Sequence, residues 1–174
     1  MRLKSSPHQY GQIALFLHWM IAICLFSALI SGFAVDKIGP TAGIMLFLHM
    51  IFGFLSAVLT GIRILWWLLI DKRPDPVLPS RPVSLLVSFV KFFLYLLPVG
   101  MGISGMALLF NSGAMDLFPF LGSEMLPDFE EIKPRRPHGF GAKLLALMIT
   151  LHITGALYHL YWIRDVTRMR IRWN

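Results

Sequence analysis

Four long apolar stretches, separated by short polar segments, organise the chain. They cover residues 13–35, 44–70, 85–110 and 140–163, and none of them contains an aspartate or a glutamate. An α-helix needs roughly 20 apolar residues to cross the hydrocarbon core of a bilayer, and each stretch meets that length. The pattern therefore predicts an all-α protein, an integral membrane four-helix bundle, in a single domain over residues 1–174.

Charge is scarce and unevenly distributed. Charged residues make up 14 % of the chain, against about 25 % in soluble domains. The segments predicted to share a side with the N-terminus hold Arg2, Lys4, Lys72, Arg73, Arg81, Arg164, Arg168, Arg170 and Arg172. By the positive-inside rule, both termini are predicted to be cytoplasmic. The net charge of +7 is thus a topology signal, with membrane lipid as a partner and no nucleic acid.

Two sequence features exclude other chemistries. Cys24 is the only cysteine, and no C-x-x-C-H motif is present, so an intrachain disulfide and a covalent c-type haem are both excluded. Residues 100–105 match the G-x-G-x-x-G pattern, but they lie within an apolar stretch without a preceding strand. We interpret these glycines as close helix packing rather than a dinucleotide site.

Four histidines fall at two predicted depths in the membrane. His138 and His152 are fourteen residues apart, which is about 21 Å of helical rise and almost four whole turns, so both rings leave one face. His18 lies near the cytoplasmic end of the first helix and His49 near the outer end of the second. Sorting by depth predicts an outer pair, His49 with His138, and an inner pair, His18 with His152. Gly53, one turn after His49, leaves room for a flat group.

Paired imidazoles at two depths indicate haem. A buried histidine in a membrane needs a partner, and two imidazoles close both axial positions of one haem iron, which favours electron transfer. Zinc is the rival metal, but two histidines without a nearby cysteine or carboxylate do not complete its tetrahedral site. We therefore predict two haems b, one near each side of the membrane.

Other polar residues near these levels allow two interpretations each. Arg63 lies fourteen residues after His49 and needs a partner or a function, unless it extends to the headgroups. Arg135 and Arg136 precede His138 and form either a solvated loop or a collar that neutralises haem propionates and attracts an anionic donor. His159, seven residues after His152, is either an interfacial histidine or a protonatable group at a quinone pocket.

The chain resembles the bacterial cytochrome b561 family of four-helix, dihaem, quinone-linked cytochromes. The matching pieces are Leu17-His18-Trp19, His49, Lys72 ahead of Pro74-x-Pro76, Leu97-Pro98, and His138 followed by His152 and His159. The resemblance implies that His18, His49, His138 and His152 are axial ligands of two b haems. It also implies a cytoplasmic quinone site onto which Lys72 and His159 map. The best-understood members oxidise superoxide at the outer face and reduce ubiquinone.

These observations together predict an oxidoreductase of the bacterial inner membrane. We expect it to move electrons between a periplasmic donor or acceptor, with superoxide as a candidate, and ubiquinone or another quinone in the membrane. Arg63, Arg135 and Arg136 are candidate contacts of the haem propionates. A haem-bearing anchor subunit of a larger dehydrogenase or hydrogenase complex is the alternative. A non-redox transporter is a third interpretation, and it predicts no haem.

Overall fold

The computed structural model describes residues 2–35, 42–74, 81–113, 129 and 131–163. These residues form four long helices, α1 (Gln12–Ala34), α2 (Ala42–Leu65), α3 (Arg81–Ser112) and α4 (Arg135–Tyr158). Short π-helical turns, Trp66–Ile70 and His159–Ile163, extend α2 and α4. No strand occurs in these ranges, so the predicted all-α class is confirmed. The basic tail from Arg164 and most of the segment between the third and fourth apolar stretches lie outside the described residues.

Two helices begin earlier than the apolar pattern predicted. α3 starts at Arg81 rather than near residue 85, and α4 starts at Arg135 rather than near residue 140. In both cases a proline, Pro82 or Pro137, lies in the first turn, where its missing N–H leaves no intrahelical hydrogen bond unmade. The earlier start of α4 places His138 within the first helical turn.

All four helices are long and apolar enough to cross a membrane. Many of their large apolar side chains face outward, such as Leu68, Leu69 and Ile103, which are 72 %, 76 % and 69 % exposed. In water such a surface would be unfavourable, but in a bilayer the lipid tails solvate it. We refer to the side of the bundle that carries residues 2–11 and 71–74 as the inner side, and to the opposite side as the outer side.

Helix packing follows chain order. α1 contacts α2, α2 contacts α3, and α3 contacts α4, whereas α4 approaches α1 and α2 less closely over the described residues. Gly102 allows the α2–α3 approach, because a Cβ there would lie 2.5 Å from the Cβ of Ala57. The glycine-rich part of α3 therefore serves helix packing at this position.

An apolar core separates the two depths at which the histidines lie. Ile21 and Leu25 of α1 pack with Leu145, which is midway between His138 and His152 in α4. Partly buried side chains complete this cluster: Leu59, Leu94, Leu97 and Ile149. Such a core excludes water from the middle of the bundle and fixes the spacing of its two ends.

Hydrogen bonds to the Asp71 carboxylate connect the N-terminal segment to the end of α2. Asp71 is 8 % exposed and accepts hydrogen bonds from the Ser5 N–H at 3.1 and 3.0 Å and from the Ser5 hydroxyl at 2.8 Å. The Trp66 indole and the Lys72 N–H also donate to it, at 3.2 and 2.9 Å. Burial alone would raise the pKa of Asp71, but these hydrogen bonds hold the pKa below its ordinary value.

Candidate functional site

The structure brings four histidines together as two pairs at opposite ends of the bundle. On the outer side, the ring centres of His49 in α2 and His138 in α4 are 5.8 Å apart, and the ring planes are inclined at 80°. On the inner side, His18 in α1 and His152 in α4 are 6.1 Å apart at 76°. All four are partly buried. These are the pairs expected from depth, and each joins α4 to a helix that it approaches loosely.

The spacing of each pair fits one metal ion between two rings. Metal–imidazole bonds of about 2 Å, with about 1.1 Å from nitrogen to ring centre, place opposed ring centres about 6 Å apart. Among the described residues, no group of three or more histidines, cysteines or carboxylates could hold a metal ion. Neither pair is therefore completed to a tetrahedral zinc site within this part of the chain. Two imidazoles at this spacing instead suit an iron whose four other positions belong to a macrocycle.

Hydrogen bonds orient both rings of the outer pair. His49 Nδ1 lies 2.7 Å from the Ala28 carbonyl oxygen, which can only accept, so Nδ1 carries the hydrogen. His138 Nδ1 lies 2.9 Å from the Ser104 hydroxyl, which donates its own hydrogen to the Met101 carbonyl at 3.1 Å. The Ser104 oxygen therefore accepts from His138. Both rings keep Nε2 free, the arrangement that metal-binding histidines show.

The inner pair has a different environment. The ring nitrogens of His18 and His152 make no hydrogen bond to any described residue, and the His18 ring packs edge-on against Trp19 at 5.4 Å. Arg63 reaches this level from α2. It donates to the Ala14 carbonyl, one turn before His18, at 2.8 Å and to the Tyr95 hydroxyl at 3.3 Å. The arginine therefore has protein partners on two neighbouring helices.

Glycines provide space beside the outer pair. A Cβ on Gly32 would lie 2.6 Å from His49 Nδ1, and one on Gly105 would lie 3.3 Å from His138 Cε1. A Cβ on Gly53 would meet nothing within 4 Å. Gly53 was expected from the sequence. Gly32, Gly105 and Ser104 were missed, and their only sequence signal is the presence of small residues inside apolar helices.

Arg135 and Arg136, the candidate contacts of the haem propionates on the outer side, lie beside His138. Arg135 begins α4, and its guanidinium lies beside Gly139. A Cβ added to Gly139 would be 3.4 Å from Nη1 of Arg135. Arg136 is exposed and lines a cavity of about 460 Å³ with Glu131, Ile132 and Lys133. Both cations are thus on the outer side, next to the first turn of α4.

Lys72 and His159, the candidate residues of a quinone site, follow helices α2 and α4. Lys72 is exposed and follows the Asp71 carboxylate. His159 starts the π-helical turn after α4, and its ring contacts Tyr158 edge-on with 6.2 Å between centres. No hydrogen bond joins Lys72 to His159 in the described part of the chain.

Comparison with known proteins adds one finding. A family model described as prokaryotic cytochrome b561 matches residues 9–171, which include all four helices and all four paired histidines. No individually curated protein matches the chain with statistical significance.

Proposed function

The chain belongs to the prokaryotic cytochrome b561 family, and from this membership we propose that it carries electrons across the membrane through two bis-histidine haems b. Members of the family transfer electrons through haem b, so the chain is a multi-pass haem b protein of the bacterial inner membrane. Beyond family membership, we propose that the chain holds two haems with defined ligands and exchanges electrons with two redox partners. His49 and His138 would hold the outer haem, and His18 and His152 the inner one.

The observation that carries the proposal is the pair of ring-centre distances, 5.8 and 6.1 Å, at two ends of one bundle. Bound haem supplies an iron that accepts and releases one electron, and imidazoles at both axial positions favour electron transfer over oxygen binding. The chain contributes fixed ligands, since Ala28 and Ser104 accept from the Nδ1–H groups of His49 and His138. The apolar core between the pairs keeps water out of the path.

On the outer side, we propose that a periplasmic partner exchanges electrons with the haem held by His49 and His138. Lys133, Arg135 and Arg136 supply positive charge beside that haem, which would neutralise propionates and attract an anionic reactant. Superoxide is one candidate of this charge.

On the inner side, we propose that quinone exchanges electrons with the haem held by His18 and His152, with ubiquinone as the first candidate. Reduction of a quinone to its quinol consumes two electrons and two protons, and His159 is the protonatable group in this region. Lys72 would contact a quinone carbonyl. Arg63 uses two of its five N–H groups in protein hydrogen bonds, which leaves donors for a propionate of the inner haem.

Haem content tests the proposal directly. The purified chain should contain two b haems by the pyridine haemochrome assay. His49→Ala and His18→Ala should each reduce that number towards one, while His8→Ala, at an exposed histidine, should keep both. A folded wild-type chain without haem, or single variants that keep both haems, would refute the ligand assignment.

A further inference from the structure

A cluster of aromatic and basic side chains on the inner side is not explained by electron transfer. Trp67 lies in the π-helical turn after α2, and its ring packs edge-on against Tyr10 at 6.1 Å. The guanidinium carbon of Arg73 lies 5.7 Å from the centre of the Trp67 ring and 5.4 Å from that of Tyr95. The guanidinium of Arg63 lies 5.9 Å from the same Trp67 ring. Two cations therefore share one aromatic surface.

Hydrogen-bond donors in this cluster lack acceptors. Trp67 Nε1 is buried and has no hydrogen-bond partner among the described residues, which is costly for an N–H group and calls for an explanation. Tyr95 accepts from Arg63, but its own O–H has no acceptor among the described residues. Each of these two groups thus has a hydrogen available for an acceptor oxygen. π-Helical turns such as the one that holds Trp67 are frequent at functional sites.

The charge of Arg73 has no counter-ion among the described residues. Neither Arg63 nor Arg73 forms an ion pair with a carboxylate in the described part of the chain. Asp71 is the nearest acid in sequence, but its carboxylate is engaged by Ser5, Trp66 and the Lys72 N–H. An exposed cation beside two aromatic rings, without a carboxylate partner in the described part of the chain, favours an anionic ligand over a neutral one such as a quinone.

The position of the cluster indicates where that anion comes from. Arg73 is exposed and lies three residues beyond Ile70, where the apolar span of α2 ends, so it follows the inner end of that span. Leu68 and Leu69 next to the cluster are 72 % and 76 % exposed and offer an apolar surface to acyl chains. Basic residues at a membrane boundary attract anionic lipids.

We propose that Trp67, Arg73 and Tyr95 form a binding site for the phosphate of an anionic phospholipid on the inner side. Arg73 supplies the charge, and the Trp67 N–H and Tyr95 O–H donate to phosphate oxygens. A lipid bound here would stabilise the packing of α2 and α3 against the N-terminal segment. This inference does not depend on the number of haems or their ligands.

Lipid retention measured by native mass spectrometry tests the site. The haem-loaded chain is titrated with phosphatidylglycerol, phosphatidylcholine or inorganic phosphate, and the same is done for Arg73→Gln and Trp67→Phe. The wild type should prefer phosphatidylglycerol over phosphatidylcholine, and each variant should weaken phosphatidylglycerol binding about tenfold, the size of a lost hydrogen bond to a charged group. Arg81→Gln removes another exposed cation on the inner side and should bind normally.

Several results would overturn the proposal. Equal binding of both lipids, or an equal loss in Arg73→Gln and Arg81→Gln, would mean general attraction to the membrane. Binding of inorganic phosphate with the affinity of the lipid would exclude a lipid site. A lost or spectrally altered haem in Arg73→Gln would assign the cluster to a haem propionate. Haem content is measured in the same samples and reports whether each variant is folded. A loss of lipid binding with normal haem content can thus be distinguished from an error in the haem assignment.

Discussion

Gly32→Ala is the substitution that most directly probes the outer histidine pair. Gly32 lies in α1 opposite the His49 ring, and an alanine Cβ there would be 2.6 Å from Nδ1 and 2.7 Å from Cε1. Non-bonded heavy atoms prefer separations of about 3.5 Å, so one side must move by about 1 Å. Because α1 and α2 share the most extensive helix contact of the bundle, we expect the ring to move rather than the helices.

The size of the effect follows from two contributions. Forcing a methyl group into a packed interface costs about 1–3 kcal/mol. Displacing the ring also breaks its 2.7 Å hydrogen bond to the Ala28 carbonyl, which is worth about 0.5–1.5 kcal/mol. A combined cost of about 3 kcal/mol weakens haem binding at the outer pair roughly 100-fold. This agrees with the 10- to 100-fold losses typical when a group that orients a metal ligand is removed.

Haem content and the visible spectrum provide the assay. Gly32→Ala should lose its outer haem on purification, falling from two haems per chain towards one, and should keep the spectrum of the inner haem. Gly100→Ala is the matched control, because a Cβ on Gly100 of α3 would meet nothing within 4 Å. It should keep both haems.

Two results would contradict the predicted contact between Gly32 and the His49 ligand of the outer haem. A Gly32→Ala variant with two haems and an unchanged spectrum would mean that the His49 ring does not occupy this position when haem is bound. Selective loss of the inner haem would mean that the histidines were assigned to the wrong levels.

Three further predictions follow from the same structure. Ser104→Ala removes the acceptor of the His138 Nδ1–H and makes that ligand less basic, so redox titration should show a higher midpoint potential for the outer haem alone, and Ser104→Thr should restore it. His152→Ala should leave one haem that still exchanges with outer reductants but is no longer reduced by quinol in stopped-flow measurements, whereas normal quinol reduction would contradict the inner assignment. Asp71 has a lowered pKa, so its stabilising contribution should be complete above its ordinary value of 3.8 and decline as pH falls below it. Thermal unfolding should show this acid loss in the wild type and not in Asp71→Asn, which should unfold at a lower temperature at pH 7.

The four helices and the levels of their histidines could be predicted from the sequence alone. Apolar length is a local property, so four membrane-spanning helices could be recognised without any knowledge of their packing. The fourteen-residue spacing of His138 and His152 places both on one face through helical geometry alone. Matching them with His49 and His18 required only the alternating direction of successive spans.

The residues that surround those histidines could not be predicted, because they depend on how the helices pack against one another. The Gly32 contact with His49, the Ser104 bond to His138 and the Arg63 bond to Ala14 each join different helices, and they depend on rotation and tilt that periodicity does not specify. The Asp71 carboxylate meets Ser5 across 66 residues of sequence, and the unpartnered Trp67 N–H exists because of what packs around it. Such contacts arise when separate helices come together, and a spacing along one helix contains no information about the face that its neighbour presents.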